Sequence, residues 1–226
     1  MTIVVGDLHG KLDLAKDVLF NFQDDRIVFV GDYLDSFEYP DNHHIDLLEL
    51  LLDANDDSSL DVVTLMGNHE LSYLIPSMRC SGYRQTIQDY IDAKPWMVRE
   101  MVTKLKTYTY ENGWLITHAG VSADWLPVNP KLLPTCLDVP PCSHELYQIG
   151  RGRGGPFAVG GPFWCDYRKE FKPIPGVKQI FGHTRAAGKY GITTVDQENY
   201  CVDCLDYHSE FLRIKDDGTL EVLSWD

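Results

Sequence analysis

Five short apolar runs punctuate the chain with one grammar: Ile3-Val4-Val5, Ile27-Val28-Phe29-Val30, Val62-Val63-Thr64-Leu65-Met66, Trp114-Leu115-Ile116-Thr117 and Val177-Lys178-Gln179-Ile180-Phe181. Their shortness, β-branched content and near-continuous hydrophobicity predict strands buried on both faces. Helical patterns lie between them. Leu12, Ala15, Val18, Leu19 and Phe22 recur at a 3.6-residue period, and Ile45 to Leu52 is densely apolar. A longer helical stretch runs from Tyr83 to Tyr108, with Pro95 opening its second segment. Strands alternating with helices predict an α/β fold.

Toward the C-terminal end the pattern changes. Ile192 to Val195, Tyr200 to Asp203, Phe211 to Ile214 and Leu220 to Leu223 are strand-like, and Asp216-Asp217-Gly218 predicts a hairpin turn between the last two. These strands are expected to add an antiparallel meander to a second sheet. Residues 121–162 show almost no periodicity and hold seven of the twelve prolines and six of the eighteen glycines. They read as a Pro/Gly-rich insert within one domain spanning 1–226, and a loop this long is usually functional or mobile.

Composition removes several classes of function. With 20 Lys and Arg against 34 Asp and Glu, the formal charge is −14. Such a chain gains little from counterion release on nucleic acid and is repelled by anionic lipid, so non-specific nucleic-acid binding is not expected. No apolar run approaches the ~18 residues of a membrane span. Thr2 to Val5 is too short for a signal-peptide core and lacks a basic flank, so a cytoplasmic location is expected.

Each of the five apolar runs ends in glycine beside polar donors. The sequences are Gly6-Asp7-Leu8-His9-Gly10, Gly31-Asp32-Tyr33-Leu34-Asp35, Gly67-Asn68-His69-Glu70, Thr117-His118-Ala119-Gly120 and Gly182-His183-Thr184. Any one alone reads as an ordinary turn. Five in order, each after a strand, are expected to converge on one rim, where open α/β sheets bind ligands. Asp, Asn and His are oxygen and nitrogen donors suited to Mn²⁺, Fe or Zn²⁺. Carboxylates, an amide and several imidazoles exceed what one ion needs and suit two ions ~3.5–4 Å apart.

These five motifs resemble those of the calcineurin-like metallophosphoesterases, in particular the phosphoprotein phosphatase branch that includes small phage and bacterial enzymes. The resemblance runs from Ile3 to about Thr184. It implies two mixed β-sheets packed face to face with helices outside, a four-layer sandwich. It also implies two divalent metal ions, with Mn²⁺ the expected activator and Fe or Zn²⁺ the alternatives. Asp7 and His9 would hold the first ion, Asp32 would bridge, and Asn68, His118 and His183 would complete the second. A metal-bridging hydroxide would attack phosphorus in line, His69 would protonate the leaving oxygen, and Asp35 would orient His69. The implied activity is hydrolysis of phosphomonoesters, including phosphoserine and phosphothreonine in proteins. The alternative within the superfamily is symmetrical hydrolysis of diadenosine tetraphosphate. A non-catalytic, metal-stabilised scaffold is a third reading, and the presence of His69 with every expected ligand argues against it. The sequence gives no sign of a regulatory partner.

One departure bears on the substrate. The branch normally continues its second motif with Arg-Gly, and that arginine clamps a phosphate oxygen, whereas here Asp35 is followed by Ser36-Phe37. Arg151 and Arg153 in Arg151-Gly152-Arg153, Arg168 in Trp164-Cys165-Asp166-Tyr167-Arg168, and Arg185 are the candidate replacements, with Arg153 and Arg168 favoured. Tyr147, Phe157, Phe163 and Trp164 could form an aromatic slot for a base or pack the insert down. Cys201-x-x-Cys204 reads as core packing. Cys136, Cys142 and His144 lack an evident fourth ligand for a structural metal. His43 and His44 are expected to be exposed.

Overall fold

The apolar runs form two sheets that share an inner core. The computed structural model describes residues 1–126, 136–138, 144–185 and 191–225. The first sheet has the order β10-β9-β1-β2-β3, built from β1 (Thr2–Val5), β2 (Arg26–Phe29), β3 (Asp61–Thr64), β9 (Glu210–Ile214) and β10 (Leu220–Ser224). The second has the order β4-β5-β6-β8-β7, built from β4 (Tyr108–Glu111), β5 (Trp114–Thr117), β6 (Lys178–Phe181), β7 (Thr193–Asp196) and β8 (Asn199–Cys201). Five helices are described: α1 (Leu12–Asn21), α2 (Asp41–Ala54), α3 (Asn68–Leu74), α4 (Gln85–Asp92) and α5 (Pro95–Lys104). This is the expected α/β architecture of two packed mixed sheets.

Strand periodicity explains why these runs are apolar throughout. Val4, Val28 and Val63 face Trp114, Ile116 and Ile180 of the other sheet. The intervening Ile3, Val5, Ile27 and Phe29 belong instead to the core shared with Leu12, Val18, Leu47 and Leu51 of α1 and α2. On the second sheet, Phe181 meets Phe171 and Tyr167 from the coil after the insert, with ring centroids 5.1 and 6.0 Å away. Gln179, fully buried, fastens that coil. Its Oε1 accepts from the Val121 amide at 2.9 Å and its Nε2 donates to the Val121 carbonyl at 3.0 Å. Gln179→Leu keeps the volume but strands both backbone groups, and is expected to cost about 2–3 kcal/mol. Urea unfolding would show this as a lower midpoint at constant slope, and an unmoved midpoint would refute it.

Several expectations need correction. The C-terminal strands do not form one meander on the second sheet. β7 and β8 join it, β8 running parallel to β6, while the β9–β10 hairpin crosses to pair antiparallel with β1 in the first sheet. The helical stretch ends at Lys104, and Tyr108-Thr109-Tyr110-Glu111 is an edge strand hairpinned to β5. Pro95 does open the second helix. His44 is wholly buried against Gly10, not exposed. Cys201 and Cys204 are buried free thiols in the core, as read from sequence. Cys142 lies outside the described residues. No helix among the described residues is long and apolar enough to cross a membrane.

β1, β2 and β3 run parallel, as do β5, β6 and β8. Six strand ends therefore deliver their following residues to the same edge of the sandwich, five of them carrying the motifs.

Candidate metal centre

The turns that leave these strands are held in costly conformations. His9, Asp32, Asp35 and His183 all have positive φ, from 43° to 67°, and among the other described non-glycine residues only Asn112 does. Such residues cost of order 1–3 kcal/mol each and persist where surrounding structure over-determines them. Here Glu70 provides much of that structure. Its wholly buried carboxylate accepts from the amides of Asp32 (2.9 Å), Gly67 (3.0 Å), Tyr33 (2.8 Å) and Leu34 (3.1 Å). Gly67 must be glycine for space, since a Cβ there would lie 2.2 Å from Asp32 Oδ1.

Asp32 stands at the centre. Its carboxylate groups with His9 and His69 on one side, and with His118 and His183 on the other, each set having ligand atoms within 4.8 Å of one another. The imidazoles are pre-oriented by backbone carbonyls. His9 Nδ1 contacts the Leu34 carbonyl and His118 Nδ1 the Val30 carbonyl, both at 3.0 Å. A carbonyl only accepts, so each Nδ1 carries the proton and each Nε2 turns its lone pair to the centre. His118 Nε2 lies 3.4 Å from Asp32 Oδ2, 3.0 Å from Asn68 Oδ1 and 3.3 Å from His183 Nδ1. Burial lowers the basicity of His118 and His183, and burial with the neighbouring His69 lowers His9 to about 4, so these rings are neutral donors. Burial opposes ionisation of Asp32, and positive charge carried by His118, His69 or His9 pulls its carboxyl well below the usual range.

Asp7 is buried at the same edge, but it is in neither group of ligand atoms. Its carboxylate accepts from the His183 amide at 2.9 Å. Burial and then Asp203, at the end of β8, push Asp7 well up. Asp203 itself is pushed up to about 7 by burial and then Asp206. Two buried, mutually repelling carboxylates beside Asp32 are an arrangement that bound cations would relieve. The residues present therefore fit a divalent-metal centre by donor type, tautomer and charge.

His69 is arranged differently from the ring donors. Its Nδ1 meets Asp35 Oδ2 at 2.9 Å, and Tyr73 donates its hydroxyl to the other oxygen of Asp35. Its Nε2 faces Asp32 Oδ2 at 3.9 Å. Burial works against its cation, yet Asp32 and the Asp35 hydrogen bond push His69 up to about 9. The ring can hold a proton on Nε2 and aim it into the cavity.

The centre opens into a cavity of about 770 Å³. Arg153 and Arg168 line it and Arg151 does not. Arg153 donates to Thr184 Oγ1 at 2.7 Å and the His183 carbonyl at 3.1 Å, and its Nε lies 3.3 Å from Asp166. Of the four aromatic residues considered for a slot, Trp164 alone lines the cavity. Phe163 is core, Tyr147 packs against it, and Phe157 meets His144. Sequence reading missed Glu70, Tyr73 and Asp203. Glu70 had a visible signal in Gly-x-x-Glu at a helix start, the spacing of a capping box.

Comparisons with known proteins bear on the family and the fold. The family model described as calcineurin-like phosphoesterase matches residues 2–186. Symmetrical bis(5'-nucleosyl)-tetraphosphatases of Actinobacillus pleuropneumoniae serotypes 3 and 5b are 28% and 27% identical over 136 residues, 55% of this chain and 46% of each relative. The match thus spans about half the length of those curated relatives. Among solved structures, a cold-active protein-tyrosine phosphatase of a psychrophilic Shewanella species superposes with a TM-score of 0.59 at 19% identity, over 99% of this chain and 80% of that one. A Saccharomyces cerevisiae protein serine/threonine phosphatase superposes with a TM-score of 0.57 at 15% identity, over 100% and 79%. At these identities the likeness concerns the fold.

Proposed function

The chain belongs to the calcineurin-like phosphoesterase family, and on that premise we propose that it hydrolyses phosphomonoesters, phosphoserine and phosphothreonine in proteins among them, using two divalent cations. His9, Asp32, Asn68, His118 and His183, with Asp7 behind them, would hold the ions, Asp32 standing between the two groups of donors. Divalent cations, when bound, supply positive charge to phosphoryl oxygens and acidify water at neutral pH, and Mn²⁺ is the expected activator.

The observation that carries this reading is the pair His69–Asp35. An alkoxide leaving group needs a proton in the transition state, and His69 is built to give one from Nε2. Asp35 fixes the tautomer through Nδ1 and Tyr73 holds Asp35 in place. Arg153, itself anchored by Thr184 and Asp166, and Arg168 would meet the phosphoryl oxygens as charge shifts onto them.

Cleavage of a dinucleoside tetraphosphate is the second reading, favoured by the activity named for the matched relatives. Its leaving nucleotide is a weak base with little need of a donor such as His69. Among the described residues, Trp164 and the exposed Phe37 are the Phe, Tyr or Trp side chains that line the cavity and could meet a base.

The deciding assay compares turnover of the Mn²⁺-loaded protein on a phosphoserine peptide and on diadenosine tetraphosphate. Phosphate release from the peptide at the higher kcat/KM is expected. Preferential conversion of the dinucleotide to ADP would replace the leading reading. Two bound metals with no turnover of either, or of an aryl phosphate, would leave a metal-stabilised scaffold. Chelation is expected to abolish turnover and Mn²⁺ to restore it.

A further inference from the structure

The cavity holds a cation that no motif announces. Arg79 leaves the short 3₁₀ turn Pro76–Met78 after α3 and lines the cavity beside Ser36 and Phe37. The geometry points to Arg79 as a substrate-binding residue that takes the phosphoryl dianion. This rests on the phosphoesterase reading above and adds to Arg153 and Arg168 a further residue that recognises the charge.

Three observations carry it. The first is the state of the other cavity cations. Arg153 and Lys169 are within 4 Å of Asp166, at 3.3 and 3.9 Å, and Arg185 pairs with Asp206 at 2.8 Å. Among the described residues, the exposed Arg79 has no carboxylate within ion-pair distance, a state it shares with only Arg168 among the cavity cations. A guanidinium left unpaired at a cavity wall is available for an incoming anion, and its planar fork matches two phosphate oxygens.

The second is how firmly the segment is held. Cys80 Sγ contacts Asn68 twice, lying 3.2 Å from Nδ2 and 3.3 Å from the carbonyl oxygen. Gly82 presses on Asp35, where a Cβ would stand 3.2 Å from the Asp35 Cβ in a backbone at φ +87°. The Arg84 amide donates to the Tyr73 hydroxyl at 3.1 Å, and its guanidinium bonds the Ser36 carbonyl. Residues 80–84 thus clamp onto a metal-ligand candidate, the partner of the proton donor and the second-motif turn together.

The third is the orientation of the side chain. The Arg79 guanidinium lies over the Tyr83 ring, 4.4 Å from its centroid. Tyr83 stacks on Tyr73 at 4.9 Å and 26°, and Tyr73 bonds Asp35. A stack of this kind restricts an otherwise mobile side chain while leaving its N–H edge free. Arg168, also without a carboxylate within ion-pair distance among the described residues, rises from the turn whose Tyr167 packs on the second sheet. The two guanidiniums therefore line one cavity from segments that follow β3 of the first sheet and precede β6 of the second.

The test uses the full-length, Mn²⁺-loaded protein with R79A, R79Q and R79K. Inorganic phosphate is titrated calorimetrically, and kcat and KM are measured on an aryl phosphate. R79A and R79Q are expected to weaken phosphate binding about 10–100-fold, with R79K recovering part of it. The loss in kcat/KM should match, with metal content and melting temperature unchanged. Phosphate affinity in R79Q within twofold of the parent would overturn the assignment. So would a loss that R79Q shows only alongside lost metal. The calorimetric arm reads Arg79 even if the parent turns over no monoester, which would count against the proposed function alone.

Discussion

Replacing His69 with asparagine is expected to lower kcat/KM for an alkyl phosphate about 10³-fold, and that for an aryl phosphate with a good leaving group far less. Asparagine is polar and can still reach Asp35, but it has no proton to transfer. The effect should therefore follow the basicity of the leaving oxygen. A competing role exists in the same geometry, because His69 groups with His9 and Asp32 closely enough to share an ion. The variant separates the two. A proton donor can be lost with the metal content intact, whereas a ligand cannot. Metal analysis of the purified variant beside rates on both substrates is the measurement. Equal losses on the two substrates, or loss of one ion, would sink the general-acid role. The hydrogen bond to Asp35 commits Nδ1 and leaves Nε2 facing the cavity for either role, while the pull of Asp32 and Asp35 toward the protonated ring favours the donor.

The same site shows why some of this structure is legible in sequence and some is not. A strand end that must turn sharply and present a donor writes itself locally, as an apolar run, a glycine, then Asp, Asn or His. All five such segments do converge on the described centre. The helix break at Pro95 is legible for the same reason, because its cause lies in the residue itself. Sheet membership is not local. Phe211 to Ile214 and Leu220 to Leu223 read correctly as strands, yet nothing in them specifies pairing with β1 instead of the second sheet. That choice is made by the sandwich, where Leu212 and Ile214 complete the inner core opposite Trp114 and Ile116. Tyr108 to Glu111 was hidden by the helix before it. His44 looked polar and exposed, but its place was decided by the space above Gly10. Arg79 is the extreme case. An arginine in a turn is unremarkable as a letter, and its meaning comes from which carboxylates are not near it.

Glu70 shows how one residue transmits fold into site, and Glu70→Ala is expected to cost about 3–5 kcal/mol of stability while also weakening metal binding. Two carboxylate oxygens receive four amides, two apiece, in a place without exposure to water. Alanine would leave all four donors unpaired, and each carries a desolvation penalty of about 1–3 kcal/mol that partial collapse or entry of water would reduce. Three of those amides belong to Asp32, Tyr33 and Leu34, the turn whose Asp32 and Asp35 hold positive φ. Without the carboxylate that turn can relax, and Asp32 would leave the position between the two groups of imidazoles. Glu70→Gln distinguishes charge and acceptors from bulk. It fits the same space, but its NH₂ would face N–H donors, so about 2–3 kcal/mol should still be lost. Urea unfolding without metal reads the stability term, and calorimetric Mn²⁺ titration of the folded variants reads the site. Stability of Glu70→Ala within 1 kcal/mol of the parent would mean that water replaces the carboxylate, and the motif turns would then need another cause for their strained backbone. Metal affinity that survives an unambiguous loss of stability would confine Glu70 to the fold. The geometry predicts that the two fall together, because the amide that Glu70 holds and the carboxylate at the centre belong to the same residue, Asp32.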